Sequence, residues 1–426
     1  MNAADMTKTR NSMRSGKVRN ERIEFLRVCA IFGISIFHVL LVWFQQASGL
    51  SAVHPQMTVS HAEVLAVSFP SMWLMSIISL LGAWGNHVFY MISGFFLIAS
   101  LAGKSRSRGF WRSQCSATLR RCIIIVLTLA FYVCIALLMN AYVMPLPGVG
   151  SSTWLGIDLE FIWLYLIFVA LAPAIAWVIE RIGSLRAEMT VVAMLVVVYL
   201  LNGYIAFFAQ GSLDGRGLGD WRKQMSAVTY LFSFVFAGLI GKRLREADAA
   251  NKASKLYKAL AYLKSPSILK MLMALACACV IALTGILAFT GHNDILYDLS
   301  FKSTSIISFV LALLALILCA TIPQAKTNDD GRRHARRFIA SINMLAPGIL
   351  GFYIAQSLMH ALWYRASYYV MHALLAQAIQ YGGVARVGLL AAFFAFGIIF
   401  AVAIAAFVCL FDCFTRQPAL RLWKLA

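Results

Sequence analysis

Residues 24–44 read EFLRVCAIFGISIFHVLLVWF. Its apolar part, Leu26 to Phe44, has a basic residue, Arg27, at its start and a histidine, His38, inside it. An apolar run of about 18 or more residues is long enough to cross a ~30 Å hydrocarbon core as a helix. Similar runs recur along the chain. Ten are read as spans: 26–44, 80–101, 120–143, 159–179, 189–209, 226–241, 271–290, 303–322, 338–359 and 386–411. The stretch 362–381, LWYRASYYVMHALLAQAIQY, is more polar and aromatic and is read as an interfacial or re-entrant helix.

The whole 426-residue chain agrees with that reading. Residues of the AVILMFWYC class make up 61% of it and charged residues 13%, against about 45–50% and about 25% in soluble proteins. So few charges cannot cover so much apolar surface, which excludes a soluble enzyme, a disordered chain and a disulfide scaffold. The expected fold is all-α, a polytopic membrane protein of about ten transmembrane helices.

The net charge of +20 comes from 37 Lys+Arg and 17 Asp+Glu. Sorted by the connections between spans, 31 of the basic residues fall on one side. Six fall on the other: Arg216, Arg222, Lys223, Lys302, Arg365 and Arg386. Positive residues favour the cytoplasmic side, so both termini are expected there. Residues 1–25 then form a basic tail, 26–411 the membrane domain and 412–426 a short tail. The basic residues are dispersed over six segments with no soluble domain to carry them, which argues against a nucleic-acid partner. A signal-peptide reading of 1–47 fits poorly, because His38 interrupts its apolar part and no small-x-small cleavage site follows. The nine cysteines lie in spans or near their cytoplasmic ends. They are expected as reduced apolar fillers, and no spacing resembles a metal site.

An ionisable group inside a span is costly and is a functional candidate. Arg27 and His38 are eleven residues apart. Eleven steps of ~100° make about three turns plus 20°, with a rise of about 16.5 Å, so both project from one face. Arg27 sits near the cytoplasmic boundary, where an arginine also snorkels and sets orientation. His38 lies just past the midplane, where a neutral imidazole joins helices or accepts a proton.

In the second span, Ser93-Gly94 is a small pair within a bulky run, fit for close helix packing or for a ligand. Asn86 and His87 lie toward its outer end, where they are expected to wet a cavity. Arg120 and Arg121 open the third span, either as flanking charges or as an anion site. Asp158 and Glu160 open the fourth beside Trp154 and Trp163, read as a headgroup-level collar or as groups that orient a sugar. Asn202, Asn343, Gln356, His360 and His372 are weaker candidates.

Glu24-Phe25-Leu26-Arg27, then ten residues, then His38 resembles the opening helix of the acyltransferase 3 family, integral-membrane O-acyltransferases of cell-surface glycans. Glu24 stands where aspartate is commoner in that family. Val88 to Phe96, with Ser93-Gly94-Phe95 in place, resembles the family's second-span signature, although one aromatic position reads Tyr90. Phe110-Trp111-Arg112 with Arg120-Arg121 is similar to the family's basic run into the third helix. Trp163 followed by Leu164 to Pro173 is similar to its tryptophan-led, proline-ended span. Gly351 to Ala355 resembles a late helix that often ends in histidine, here Gln356, with His360 one turn on.

The resemblance implies acyl transfer from acyl-CoA, acetyl being the expected group, to a hydroxyl of a surface polysaccharide or lipid-linked sugar. The implied setting is the plasma membrane, with the bilayer as partner. Acyl-CoA would be a co-substrate, and no tightly bound cofactor or metal is expected. His38 would act as general base with Arg27 as its catalytic partner, and Arg27, Arg120 and Arg121 would hold the donor phosphates. Glu24, Ser93, Gly94 and Phe95 would form the motif and cavity. His87, Asp158 and Glu160 would face the acceptor. The competing reading is a transporter or flippase of a glycan intermediate, which ten spans with polar interiors would also suit.

Overall fold

The computed structural model describes residues 20–49, 59–146, 148–150, 154–156, 159–208, 218–249, 265–301, 304–322 and 339–422. Every regular element among them is helical. α1 (Glu21–Ala47) begins at a side-chain cap. Asn20 Oδ1 accepts the backbone N–H groups of Arg22 at 3.1 Å and Ile23 at 3.4 Å, two donors that a helix start otherwise leaves open. The short turn α2 (Glu63–Ala66) leads into α3 (Phe69–Ala102). Then follow α4 (Phe110–Tyr142), α5 (Glu160–Ile182), α6 (Ser184–Gly203) and α7 (Leu218–Ala249). α8 (Pro266–Phe289), α9 (Asn293–Ser300), α10 (Ile306–Thr321), α11 (Ile349–Gln380), α12 (Gly383–Phe414) and α13 (Arg416–Leu422) complete the described chain.

The helices alternate between two ends. Ile23, Leu101, Phe110, Ile179, Ala187, Leu244 and Leu316 belong to one buried cluster. It joins the starts of α1, α4 and α6 to the ends of α3, α5, α7 and α10, and is called here the Glu21 end. Ala47, Leu65, Ala288, Leu296, Ala378 and Leu390 belong to another cluster at the opposite, Ala47 end. The most buried long helix is α3. It packs along α7 so closely that a Cβ at Gly94 would overlap the Phe234 carbonyl. Small residues permit such approach where no hydrophobic force drives helices together in lipid.

Among the described residues nine helices are long and apolar enough to cross a membrane, which makes this an all-α, multi-pass membrane protein. The eighth expected span, 303–322, is shorter than read. α10 has 16 residues, about 24 Å at 1.5 Å per residue, against a ~30 Å core. The stretch 362–381 is corrected too. It forms the second limb of α11, joined to the first, Ile349 to Leu358, across a kink, rather than a separate re-entrant element. Only Met359, at φ −122° and ψ 18°, leaves the helical region, and the helix kinks there. Beyond the kink Met371, Leu375 and Ala378 pack against Leu40, Trp43 and Phe44, and Tyr368 stacks on Trp43 with centroids 6.1 Å apart. Apolar burial on both limbs keeps the helix going through its polar and aromatic residues.

α1 starts at Glu21, ahead of Leu26, and residues 1–19 lie outside the described part. The segment expected as a C-terminal tail carries the end of α12 and all of α13, with Asp412 and Arg416 buried. All nine cysteines are free thiols.

Candidate active site

A cavity of about 520 Å³ lies toward the Glu21 end, between α1, α3, α4, α5 and the turn Ala346–Gly348. Its longest wall is one face of α3. Phe89, Ser93, Phe96, Leu97 and Ser100 line it, and Lys104 continues the stripe two residues past the helix. These positions recur at three- and four-residue steps, which puts them on a single helix face. From Phe89 to Lys104 the stripe is about 22 Å long at 1.5 Å per residue, with Lys104 at the mouth and Phe89 at the inner end.

Four cations line the cavity, Arg27, Lys104, Arg121 and Arg245, and among the described residues no carboxylate does. Arg27 Nη1 lies 3.2 Å from each oxygen of Glu24. Glu24 is one helical turn back and buried, so it holds the guanidinium from behind rather than lining the cavity. Arg121 Nη1 is buried and has no hydrogen-bond partner. Arg120, its neighbour, is exposed and absent from the wall. Consecutive helical residues point ~100° apart, and here that turn takes Arg120 off the wall that Arg121 lines.

At the mouth an ion-pair network sets which cations turn inward. Lys242 Nζ pairs with Glu180 at 2.7 Å, Arg106 with Glu180 at 2.9 Å and Arg243 with Glu188 at 2.5 Å. These bonds tie the α3–α4 turn and the end of α7 to α5 and α6. Lys104 and Arg245 stay exposed on the cavity side. Uncompensated positive charge between low-dielectric walls concentrates field on an entering anion.

The second-span motif divides between wall and packing. Ser93 lines the cavity, its hydroxyl donating to the Phe89 carbonyl at 2.9 Å. Gly94 and Phe95 face away: Gly94 abuts Phe234 and the Phe95 carbonyl lies against Gly241, both on α7.

His38 does not line this cavity. It is exposed nearer the Ala47 end, with Nδ1 2.8 Å from the Ile34 carbonyl. A carbonyl only accepts, so Nδ1–H donates and the neutral ring carries its lone pair on Nε2. Between Arg27 and His38 on the same face stand Ile31 and Ile34, each 1% exposed. They are packed in a cluster with Ile125, Trp154, Leu159 and Tyr353. A hydrophobic seal therefore separates the arginine cavity from the histidine.

The remaining candidates are dispersed. His87 is fully buried against α7 and α10: Nδ1 is 2.9 Å from Ser233 Oγ, and its ring meets Tyr230 and Phe309 edge-on. The expectation that it wets a cavity is thus corrected, because five turns into α3 that position faces the helix–helix core. Asn86 donates to the Tyr230 hydroxyl at 3.1 Å. Glu160 opens α5, and Asp158 lies outside the described residues. Trp163 is partly exposed and donates to the Leu155 carbonyl at 2.7 Å, whereas Trp154 is buried in the seal rather than in a headgroup collar. Gln356 is buried, and His360 Nδ1 lies 3.1 Å from the Ser357 carbonyl beside the Met359 kink.

Lys104, Arg245, Gln114 and Tyr165 line the cavity and were not singled out from the sequence. The α3 stripe carried a signal for Lys104, which is eleven residues beyond Ser93, the spacing that aligns Arg27 with His38. Arg245 sits among Lys242 and Arg243, and only the fold distinguishes it from them. A family model described as an acyltransferase domain matches residues 20–409. No curated protein and no solved structure matches the chain.

Proposed function

Since the chain belongs to the acyltransferase 3 family, we propose that it moves an acyl group, expected to be acetyl, from acyl-CoA to a hydroxyl of a cell-surface glycan or lipid-linked sugar. The supporting observation is the cavity, which four cations and, among the described residues, no carboxylate line. It suits a phosphorylated donor arriving from the side rich in positive charge, which is the cytoplasm by the distribution of Lys and Arg. In this reading Lys104, Arg245 and Arg121 hold the phosphates through charge-assisted hydrogen bonds. Arg27, deeper and steadied by Glu24, stands over the thioester. The protein sits in the plasma membrane with the acceptor on the Ala47 side.

The chemistry is an acyl exchange. The acceptor oxygen bonds to the acyl carbon, and the carbon–sulfur bond of the thioester breaks. His38 Nε2 takes the hydroxyl proton, and the departing thiolate takes up a proton to leave as the free thiol. General-base assistance of this kind contributes about 10²–10⁴-fold. Arg27 and His38 lie about 16 Å apart along α1 with the seal between them, so the exchange takes place only when Ile31, Ile34 and the rings beside them part and let the thioester carbon reach the hydroxyl at His38.

The test is NMR or mass spectrometry of surface glycans from cells with the wild type, His38→Ala or no protein. O-acyl groups present with the wild type and missing from the other two support the reading. O-acylation unchanged by His38→Ala, with the variant inserted normally, removes the base assignment. Identical glycans with and without the protein remove the glycan acceptor.

A further inference from the structure

We propose that Phe89, backed by Phe161, Tyr165 and Tyr353, gauges the length of the acyl group this protein transfers. The inference rests on the reading of the cavity as an acyl-CoA site.

Phe89 closes the inner end of the cavity wall on α3. Its ring centroid lies 5.0 Å from Phe161, 4.8 Å from Tyr165 and 4.9 Å from Tyr353. Phe161 and Tyr353 stack on each other at 4.1 Å with planes only 7° apart, and Tyr90 joins Phe161 at 4.6 Å. Edge-to-face and stacked rings at these separations attract one another beyond simple burial. Each ring is thus fixed by others, on α3, α5 and α11. Behind the layer stand Ile31, Ile34 and Leu159, all nearly inaccessible, so the closed wall leaves no room behind Phe89.

The depth of the cavity fits the two ends of a thioester donor. The cations at the mouth suit its phosphates, and Arg27 and Ser93 lie further in. Phe89 is the lining residue of α3 furthest from the mouth, and Ile92, Ile125 and Val169 add apolar side chains to the lining, which suit a small apolar group. A longer acyl chain meets Phe89 at its tip, and the same rings stand across the path toward His38. Interiors are close-packed, so even an extra methylene is felt. One methylene against an apolar wall discriminates by roughly 10–200-fold.

The test compares kcat/KM for acetyl-, butyryl- and hexanoyl-CoA using the full chain in lipid nanodiscs with a glycan acceptor. The wild type is expected to favour acetyl over hexanoyl by at least ~10-fold. Phe89→Ala is expected to raise the hexanoyl-to-acetyl ratio by ~10-fold or more. Phe89→Leu, which keeps an apolar filler and so guards against loss of the fold, is expected to raise it less. Phe96→Ala, about 10 Å nearer the mouth along α3, is expected to leave the ratio unchanged. A wild type that uses hexanoyl as readily as acetyl overturns the gauge, as does an unchanged ratio in a folded Phe89→Leu. Transfer from no CoA thioester at all overturns the donor reading together with the gauge, whereas transfer with an unmoved ratio overturns the gauge alone.

Discussion

Replacing Arg416 by methionine is expected to destabilise the protein by about 3 kcal/mol, and replacing Asp412 by leucine by about 5 kcal/mol. The geometry sets the two figures. Asp412 is 0% exposed and Arg416 6%. Arg416 Nε and Nη2 donate to the two carboxylate oxygens at 2.6 and 2.7 Å, a bidentate charge-assisted pair. Without the guanidinium, Asp412 keeps the Tyr132 hydroxyl at 2.9 Å and the Gln417 amide at 3.3 Å, which holds the loss near the lower bound for breaking a buried pair. Without the carboxylate, Arg416 keeps only neutral acceptors, Thr128 Oγ1 at 3.2 Å and the Pro347 carbonyl at 3.4 Å, so its charge is left buried and unpaired. The double variant removes both charges and is expected to cost less than the sum of the singles by ~0.5–3 kcal/mol. Unfolding in mixed micelles, followed by tryptophan fluorescence, measures all three. Because Pro347 lines the cavity, the Arg416 variant is also expected to raise KM for the donor more than it lowers kcat. Single variants within ~0.5 kcal/mol of wild type, the range of ordinary surface substitutions, or strict additivity would refute the reasoning.

Gly351→Ala puts a Cβ onto the Asp412 carboxylate and the Tyr132 hydroxyl, an overpacking expected to cost ~1–3 kcal/mol in the same unfolding assay. The double variant Lys104→Ala/Arg245→Ala is expected to raise donor KM about three- to tenfold with kcat kept, since exposed charges contribute ~0.2–1 kcal/mol each. It should also flatten the dependence of KM on ionic strength, because exposed charges are those that salt screens. Glu24→Gln is expected to raise donor KM less than Arg27→Ala does, because Arg27 keeps its charge and loses only the carboxylate that orients it.

The fold class was legible because hydrocarbon imposes one rule, an apolar run of fixed length, and nearly every run obeyed it. The departures arose where the rule is silent. α10 is short, since neighbouring helices rather than lipid bury part of it. The limb after Met359 is polar in composition, yet the helix persists because its apolar side packs on α1. For the site, helical periodicity put Arg27 and His38 on one face. It carried no information on what lies between them, because the seal draws on α4, the segment ahead of α5, and α11. Spacing likewise could not split Arg120 from Arg121, or say that Gly94 packs while Ser93 lines the cavity. Those depend on which neighbour each face meets. Lys104 and Arg245 were counted among charges that set orientation; the eleven-residue step from Ser93 pointed to Lys104, but only tertiary structure separates Arg245 from the ion pairs beside it.

The most direct test separates donor binding from transfer in purified protein reconstituted in bilayers. Labelled acetyl-CoA is titrated against wild type, Arg27→Ala and His38→Ala, and transfer of label to a glycan acceptor is followed in the same samples. The expected result is that His38→Ala binds the donor as the wild type does and transfers nothing, while Arg27→Ala binds it weakly. Wild-type transfer by His38→Ala, or wild-type donor affinity in Arg27→Ala, would contradict a donor held at the arginine cavity and a hydroxyl activated by the histidine beyond the seal.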